Sequence, residues 1–201
     1  RGLDATLGYG GHARELLARL QPGGCLYATD VDAIQLPRTR ERLAKLGYGP
    51  EALQTRLMNF SGIDRITAES GPLHFVLADL GVSSMQIDNP QRGFSFKQDG
   101  PLDLRLNPQE GRPASERLRG MSALELEGML RENADEPYAG PIARGITAAM
   151  KKGPRITTTA QLQGVISDVL KGMQGVKQDD IKKSFQRCFQ ALRIDVNGEF
   201  E

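Results

Sequence analysis

Ten residues near the amino terminus do most to restrict what this chain can become: Leu3-Asp4-Ala5-Thr6-Leu7-Gly8-Tyr9-Gly10-Gly11-His12. A short apolar run ends on an acid, and three glycines then fall within four positions. Amphipathic spacing follows at once, with Ala13, Leu16, Leu17 and Leu20 separated by Arg14, Glu15 and Arg19. That order predicts strand, glycine turn, helix. Glycine adopts positive φ and lets backbone approach a ligand with no Cβ in the way. The helix start beyond offers unpaired N–H groups and a partial positive charge. The next strand candidate, residues 24–30, closes on Asp30, where an acid commonly takes a ribose hydroxyl pair. The expectation is a nucleoside-containing ligand lying across two adjacent strand ends. Gly8 to Ala13 fits G-x-G-x-x-G/A, a turn that serves NAD and S-adenosylmethionine (SAM) alike. The same glycines also suit a tight turn with no ligand, so the choice must come from elsewhere in the chain.

The alternation continues. Residues 33–46 predict a helix with Ile34, Leu43 and Leu46 on one side and Pro37 in its first turns, where proline is tolerated. Residues 52–58 predict a strand, Asn59-Phe60-Ser61 a turn at its carboxyl end, and residues 63–69 a short helix. Leu73 to Leu80 is a continuous apolar run, as expected of a strand buried on both faces of a parallel sheet. This βαβαβαβ order argues for an α/β sheet with right-handed crossovers. The pattern then changes. Residues 81–111 are rich in Gly, Pro, Asp and Asn without a sustained period, which marks a functional or disordered loop. Residues 113–131, 141–152, 160–171 and 185–200 predict helices, the third capped from Thr157-Thr158-Thr159. The domain reading is a core over 1–84, a loop and helical insertion over 85–184, and a return helix over 185–201. The chain opens in a strand and closes in a helical pattern, and it reads as a fragment truncated at both ends.

Length bounds this to one large domain, or one domain with a substantial insertion: 201 residues, 39% hydrophobic, with a net charge of +1. That balance does not by itself call for nucleic acid. Charge is local instead. Between Arg144 and Arg193 ten Lys and Arg residues face only Asp168, Asp179 and Asp180. A phosphate-binding patch and a solvated helix face explain this equally well. Cys25 and Cys188 are far apart in apolar contexts, and His12 and His74 are the only histidines. Neither a disulfide framework nor a histidine-rich metal site is expected. No stretch has the length of a membrane span and no signal peptide is visible, which fits a reducing compartment: cytoplasmic, or organellar in a eukaryotic source.

The stretch after the fourth strand discriminates further. Asp79-Leu80-Gly81-Val82-Ser83-Ser84-Met85-Gln86-Ile87-Asp88 is followed by Arg92-Gly93-Phe94-Ser95-Phe96 and then Asp99-Gly100-Pro101-Leu102-Asp103-Leu104-Arg105. These resemble the D-L-G-V-S-S-x-Q-x-D, R-G-F-S-F and D-G-P-L-D-M-R motifs of the ribosomal RNA small-subunit methyltransferase H (MraW) family. Asp4 to His12 resembles that family's first motif, and Phe189 to Asn197 its F-Q-A-x-R-I-x-V-N segment. The resemblance covers nearly the whole chain. It implies a Rossmann-like class I SAM methyltransferase sheet with a helical domain inserted after the fourth strand. It implies methylation of the N4 amino group of a cytidine in small-subunit ribosomal RNA, with SAM as cofactor and the small ribosomal subunit as partner. It further implies that Gly10, Gly11 and His12 line the SAM site, Asp30 holds the ribose, Phe60 flanks the adenine, and Asp79 and Gln86 complete the pocket. Three departures stand out. Met85 replaces the usual proline, Asn133-Ala134-Asp135-Glu136 stands where the family has Y-G-E-E, and Lys183 to Cys188 replaces H-P-A-T-R-T. The family's later S-F-H-S-L-E-D-R motif does not occur.

The chemistry assigns further roles. A cytosine amino lone pair is delocalised into the ring, and a group accepting a hydrogen bond from that amine localises it. Asp79 and the backbone of residues 80–84 are placed for this, although Asp79 would equally serve as a cofactor-binding or turn-capping acid. A flipped base is commonly held between aromatic or apolar side chains, which makes Phe94 and Phe96 candidates; both would equally serve as core residues pinning the loop. Asp103 and Arg105 either contact RNA or order the loop through an ion pair. Two other classes stay open: an NAD-dependent oxidoreductase carried by the glycine fingerprint alone, and a non-catalytic ribosome-assembly factor on a methyltransferase fold.

Overall fold

A computed structural model of the chain describes residues 1–153 and 156–199. Arg155, counted above in the basic stretch, and Phe200, at the end of the last expected helix, lie outside the described residues. Contacts divide the chain into two compact units: residues 1–83 with 106–109, and residues 84–105 with 110–201.

The first unit is a parallel sheet. Its strands are β1 (Gly2–Asp4), β2 (Leu26–Asp30), β3 (Leu53–Leu57) and β4 (Phe75–Leu77), in the spatial order β3-β2-β1-β4. Helix α1 (Gly11–Leu17) follows β1, α2 (Gln35–Lys45) follows β2, and α3 (Ile63–Ser70) follows β3 after a 3-10 turn at Phe60–Gly62. Strand alternation covers both faces of the sheet. Leu26 and Ala28 point to one side with Leu7, Ala13, Leu17, Leu36 and Leu43. Leu3, Ala5 and Tyr27 point to the other with Ile66, Phe60 and Ile63. Each fully buried aliphatic side chain contributes about 1.5–3 kcal/mol, so these two clusters hold the layers together.

Two expectations for this unit need correction. The fourth strand is shorter than residues 73–80 and is not buried on both faces: Val76 is 52% and Leu80 61% exposed. It lies at an edge of the four-stranded sheet, paired with β1 alone among the described residues. In α2 the buried face is Leu36, Thr39 and Leu43, at helical spacing, whereas Ile34 precedes the helix and Leu46 terminates it, and both are exposed. Pro37 occupies the helix's third position, where its missing N–H has no intrahelical acceptor to lose.

The second unit is helical. It opens with a short α4 (Ser84–Ile87) and a 3-10 turn at Pro90–Arg92, both inside the stretch read as a loop. Then come α5 (Ala114–Gly120), α6 (Ala123–Ala134), α7 (Ala139–Lys152), α8 (Thr159–Lys171) and α9 (Gln178–Asn197). The single helix expected over 113–131 is two, because Ser122 caps α6: its hydroxyl accepts the Glu125 N–H while Glu125 accepts the Ser122 N–H. Thr158 caps α8 in the same reciprocal way with Gln161. The last helix starts at Gln178, seven residues before the expected Phe185, so no break falls at residue 184. Glu136, in the variant Asn133-Ala134-Asp135-Glu136 stretch, is buried. Its Oε1 accepts the Ser184 hydroxyl at 2.9 Å and the Tyr138 N–H at 2.9 Å, tying the α6–α7 turn to α9. Burial in this core pushes the Cys188 thiol well above its ordinary pKa, which makes it inert rather than nucleophilic.

Candidate functional site

Parallel strands put all four carboxyl ends on one edge, and ligands of such sheets settle where the strand order reverses. Here that reversal lies between β1 and β4. The ladder pairs Asp4 with Leu77, and the Ala5 N–H still donates to the Leu77 carbonyl at 2.8 Å. The chain then swings toward β2, where the Leu7 N–H donates to the Thr29 carbonyl at 2.9 Å. Between these two bonds Thr6 faces back to β4, and its hydroxyl oxygen accepts the Asp79 N–H at 2.8 Å.

The glycine turn is built from several directions. Gly10 caps α1 in the left-handed region at φ 79°, and a Cβ there would meet the Thr39 Cγ2 at 2.7 Å. Thr39 is buried and its hydroxyl donates to the Gly8 carbonyl at 2.6 Å. Arg42 donates to the Tyr9 carbonyl and lies over the Tyr9 ring, 3.4 Å from its centre. Asp30 accepts the Gly8 N–H at 2.6 Å and the Asp32 N–H at 2.8 Å. The expected ribose-binding acid therefore also closes the turn. Gly11 differs from Gly10: a Cβ at Gly11 would touch nothing within 4 Å.

Three carboxylates gather here. Asp4 is buried; its Oδ1 accepts the Thr6 N–H at 3.1 Å, and its Oδ2 has no partner among the described residues. Burial raises the Asp4 pKa; the Thr6 N–H and His12 oppose that, while Asp30 and Asp79 add to it. Burial also raises Asp30, against the bonds from Asp32 and Gly8. The Asp79 side chain is mostly exposed and lies 3.7 Å from the His12 Nδ1. A buried carboxylate oxygen without a donor is costly unless something binds it. The residues thus fit a ligand carrying positive charge and hydroxyl groups. They fit the anionic pyrophosphate of a dinucleotide poorly.

The first unit brings Gly10, Gly11, His12, Asp30, Phe60 and Asp79 to this edge. Phe60 sits just beyond β3, partly buried against Leu3, Ala5, Tyr27 and Ile66. Gln86 belongs to the second unit, half-buried in α4. So do the four expected substrate residues, which the structure gives scaffolding contacts. Phe94 is buried, with the Arg92 guanidinium 5.6 Å from its ring centre, and presents no open face to a base. Phe96 packs on Phe185 and Phe189 at 6.1 and 5.9 Å between ring centres. Arg105 donates twice to Asp103, at 2.7 and 2.8 Å, a half-buried bidentate pair that orders the loop and raises the Arg105 pKa. Asp99 caps α8 by accepting the Ala160 N–H at 3.0 Å. Sequence reasoning missed Asp4, Thr6, Thr39 and Arg42 as parts of the site. The one available signal was Asp4 closing a strand, as Asp30 does. Among the described residues no group of three or more His, Cys, Asp or Glu side chains is placed to hold a metal ion. None of their helices is long and apolar enough to cross a membrane.

Fold and site together define a Rossmann-like α/β protein with an acidic, glycine-turned carboxyl edge. Residues 2–201 match the MraW methylase family, and the chain belongs to it. It is 66% identical over 201 residues to ribosomal RNA small subunit methyltransferase H 2 of Alkaliphilus metalliredigens, covering all of this chain and 58% of that protein. It is 57% identical over 202 residues to ribosomal RNA small subunit methyltransferase H 1 of Lachnoclostridium phytofermentans, covering all of this chain and 55% of that one. At 40% identity it matches ribosomal RNA small subunit methyltransferase H of Halorhodospira halophila, over 98% of this chain and 59% of that protein. The chain thus spans somewhat more than half the length of these relatives.

Proposed function

We propose that this chain is the cofactor-binding part and helical insertion of a SAM-dependent methyltransferase acting on the N4 amino group of a cytidine in small-subunit ribosomal RNA. The observation that carries the cofactor is the acidic edge. Asp4 lies within reach of the charges of Asp30 and Asp79, and it keeps a buried oxygen without a donor among the described residues. SAM supplies a methyl group on a cationic sulfonium, together with an ammonium and a ribose diol. Asp30 holds the ribose hydroxyls, Gly11 leaves the space the ligand fills, and Phe60 flanks the adenine with the apolar surface beyond β3. Asp79 accepts a hydrogen bond from the target amine, drawing its lone pair out of the ring and orienting it for in-line attack. The carboxylate acts mainly as the transition state forms, where such an interaction raises the rate.

The substrate class rests on the relatives' printed names and on a charge stripe. On α9, Lys182 and Lys183 are exposed with Gln186 and Gln190, and half-buried Arg187 extends the row. The spacing i, i+4, i+8 places Lys182, Gln186 and Gln190 on one helix face, opposite buried Ile181, Ser184, Cys188 and Leu192. Among the described residues no carboxylate pairs with these three cations, whereas Arg193 is bound to Glu199 and drops out of the basic set. A stripe of this kind suits an RNA backbone. The bacterial relatives make the cytoplasm the expected location. The test is mass-spectrometric mapping of methylated cytidines in small-subunit RNA, from cells with and without the complete protein. Loss of one N4-methylcytidine that purified protein and SAM restore on isolated subunits is the expected result. An unchanged map, or tight NAD binding in place of SAM, refutes the reading.

A further inference from the structure

We infer that Thr6 is a positioning residue for methyl transfer: its hydroxyl sets the backbone of Asp79 and so aims the Asp79 carboxylate. This rests on the proposed role of Asp79. The β1–β4 ladder ends at the Ala5 N–H to Leu77 carbonyl bond, after which the two backbones part. The Thr6 hydroxyl oxygen spans that gap by accepting the Asp79 N–H at 2.8 Å, one rung beyond the ladder. Thr6 is itself held, because its own N–H donates to Asp4 Oδ1 at 3.1 Å and Asp4 is buried. The Asp79 side chain is 67% exposed, and the Nδ1 of His12, itself mostly exposed, lies 3.7 Å from its carboxylate. The backbone it hangs from therefore sets where the side chain starts, and its χ angles remain free to turn toward a ligand. Leu80 next to it is exposed and adds no packing anchor. The Thr6 hydroxyl is thus the anchor that sets where the Asp79 backbone, and the carboxylate it carries, stands.

Thr6→Val keeps the branched shape and removes the acceptor, and Thr6→Ser restores it. Thr6→Ala is the second deletion, free of added bulk. The first readout needs no ligand: amide hydrogen exchange in the complete protein. The Asp79 amide is expected to exchange roughly fivefold faster in Thr6→Val and Thr6→Ala, and close to the wild-type rate in Thr6→Ser. The second is single-turnover methylation of small subunits beside calorimetric SAM binding. The rate is expected to fall by roughly tenfold or more in Thr6→Val with SAM affinity within about threefold, and to return in Thr6→Ser. Unchanged exchange at Asp79, or a full rate in both deletions, overturns the inference. Equal losses in rate and in SAM affinity also overturn it, because they mark Thr6 as a cofactor-site residue. Asp79→Asn separates the two levels of argument. If Asp79→Asn turns over normally, the role of Asp79 falls and the aiming role of Thr6 with it. If Asp79→Asn is slow while Thr6→Val is not, only the inference about Thr6 falls.

Discussion

Gly10 and Gly11 are adjacent in the fingerprint, yet the structure gives them different reasons to be glycine, and substituting each by alanine separates the two. At Gly10 the backbone is left-handed, which costs a residue with a Cβ about 1–2 kcal/mol. The new methyl would also stand 2.7 Å from the Thr39 Cγ2, an overlap worth about 1–3 kcal/mol in a packed interior. Gly10→Ala is therefore expected to cost about 2–5 kcal/mol of stability. Thr39→Ser removes the offending methyl and keeps the hydroxyl that donates to the Gly8 carbonyl. In that background the same substitution should cost the conformational part, about 1–2 kcal/mol, plus what remains of a 3.3 Å approach to the Leu43 Cδ1. At Gly11 an added Cβ meets nothing, so Gly11→Ala should leave stability unchanged or raise it by up to about 1 kcal/mol through a stiffer unfolded chain. Its effect should appear in the ligand, as a loss of SAM affinity of roughly tenfold or more, equivalent to about 1.4 kcal/mol. Urea denaturation and calorimetric titration of the four proteins measure both quantities. SAM affinity unaltered in Gly11→Ala would show that the open space is not where the cofactor lies. An undiminished cost of Gly10→Ala in the Thr39→Ser background would remove Thr39 as the cause.

Three further outcomes follow from charge. Burial raises the pKa of Asp30, so SAM binding should weaken as pH falls through that raised value, above the ordinary range near 3.9; binding isotherms from about pH 4 to 7 would show this, and Asp30→Asn should flatten the dependence. Stability should run the other way: the folded state holds this proton more tightly than the unfolded chain, so the contribution is full below about pH 3.9 and is lost as pH rises through the folded value. For RNA, replacing Lys182, Lys183 and Arg187 together should weaken binding and flatten the plot of log K against log salt by about 0.7–0.9 per lost phosphate contact; an unchanged slope would make α9 a solvated face.

What the sequence disclosed follows from the range over which each signal acts. The strand–turn–helix at Asp4 to His12 and the cap at Thr158 are written in neighbouring residues, and both appear where expected. The break between α5 and α6 was equally local, since Ser122 and Glu125 carry the spacing of a capping box; the apolar period across 113–131 masked it. The exposed face of β4 was not legible, because an apolar run does not say whether a neighbouring strand lies beside it. Thr39 and Arg42 were out of reach for the same reason. They reach the glycine turn from a helix 31 and 33 positions away, and only the packing of α2 against the sheet brings them there.

Motif residues pose a subtler problem, because a pattern marks a position before it fixes a task. Asp30 was expected to hold a ribose, and it also closes the glycine turn through Gly8 and starts the next segment through Asp32. Asp103 and Arg105 were candidates for RNA, and they spend their hydrogen bonds on each other and on their own loop. Phe94 and Phe96 were candidates for a flipped base, and they are packed among Arg92, Phe185 and Phe189. In each case the chemistry of the side chain permitted both tasks, and its surroundings separate them. A carboxylate oxygen that accepts an N–H from its own loop holds shape and can still accept a second donor. A carboxylate with a buried oxygen lacking a donor, such as Asp4, is short of a partner. Asp4 Oδ2 in the sheet unit and Glu136 Oε2 in the helical unit both meet that criterion, and the Asp4 oxygen is the one that stands beside the glycine turn and two further acids.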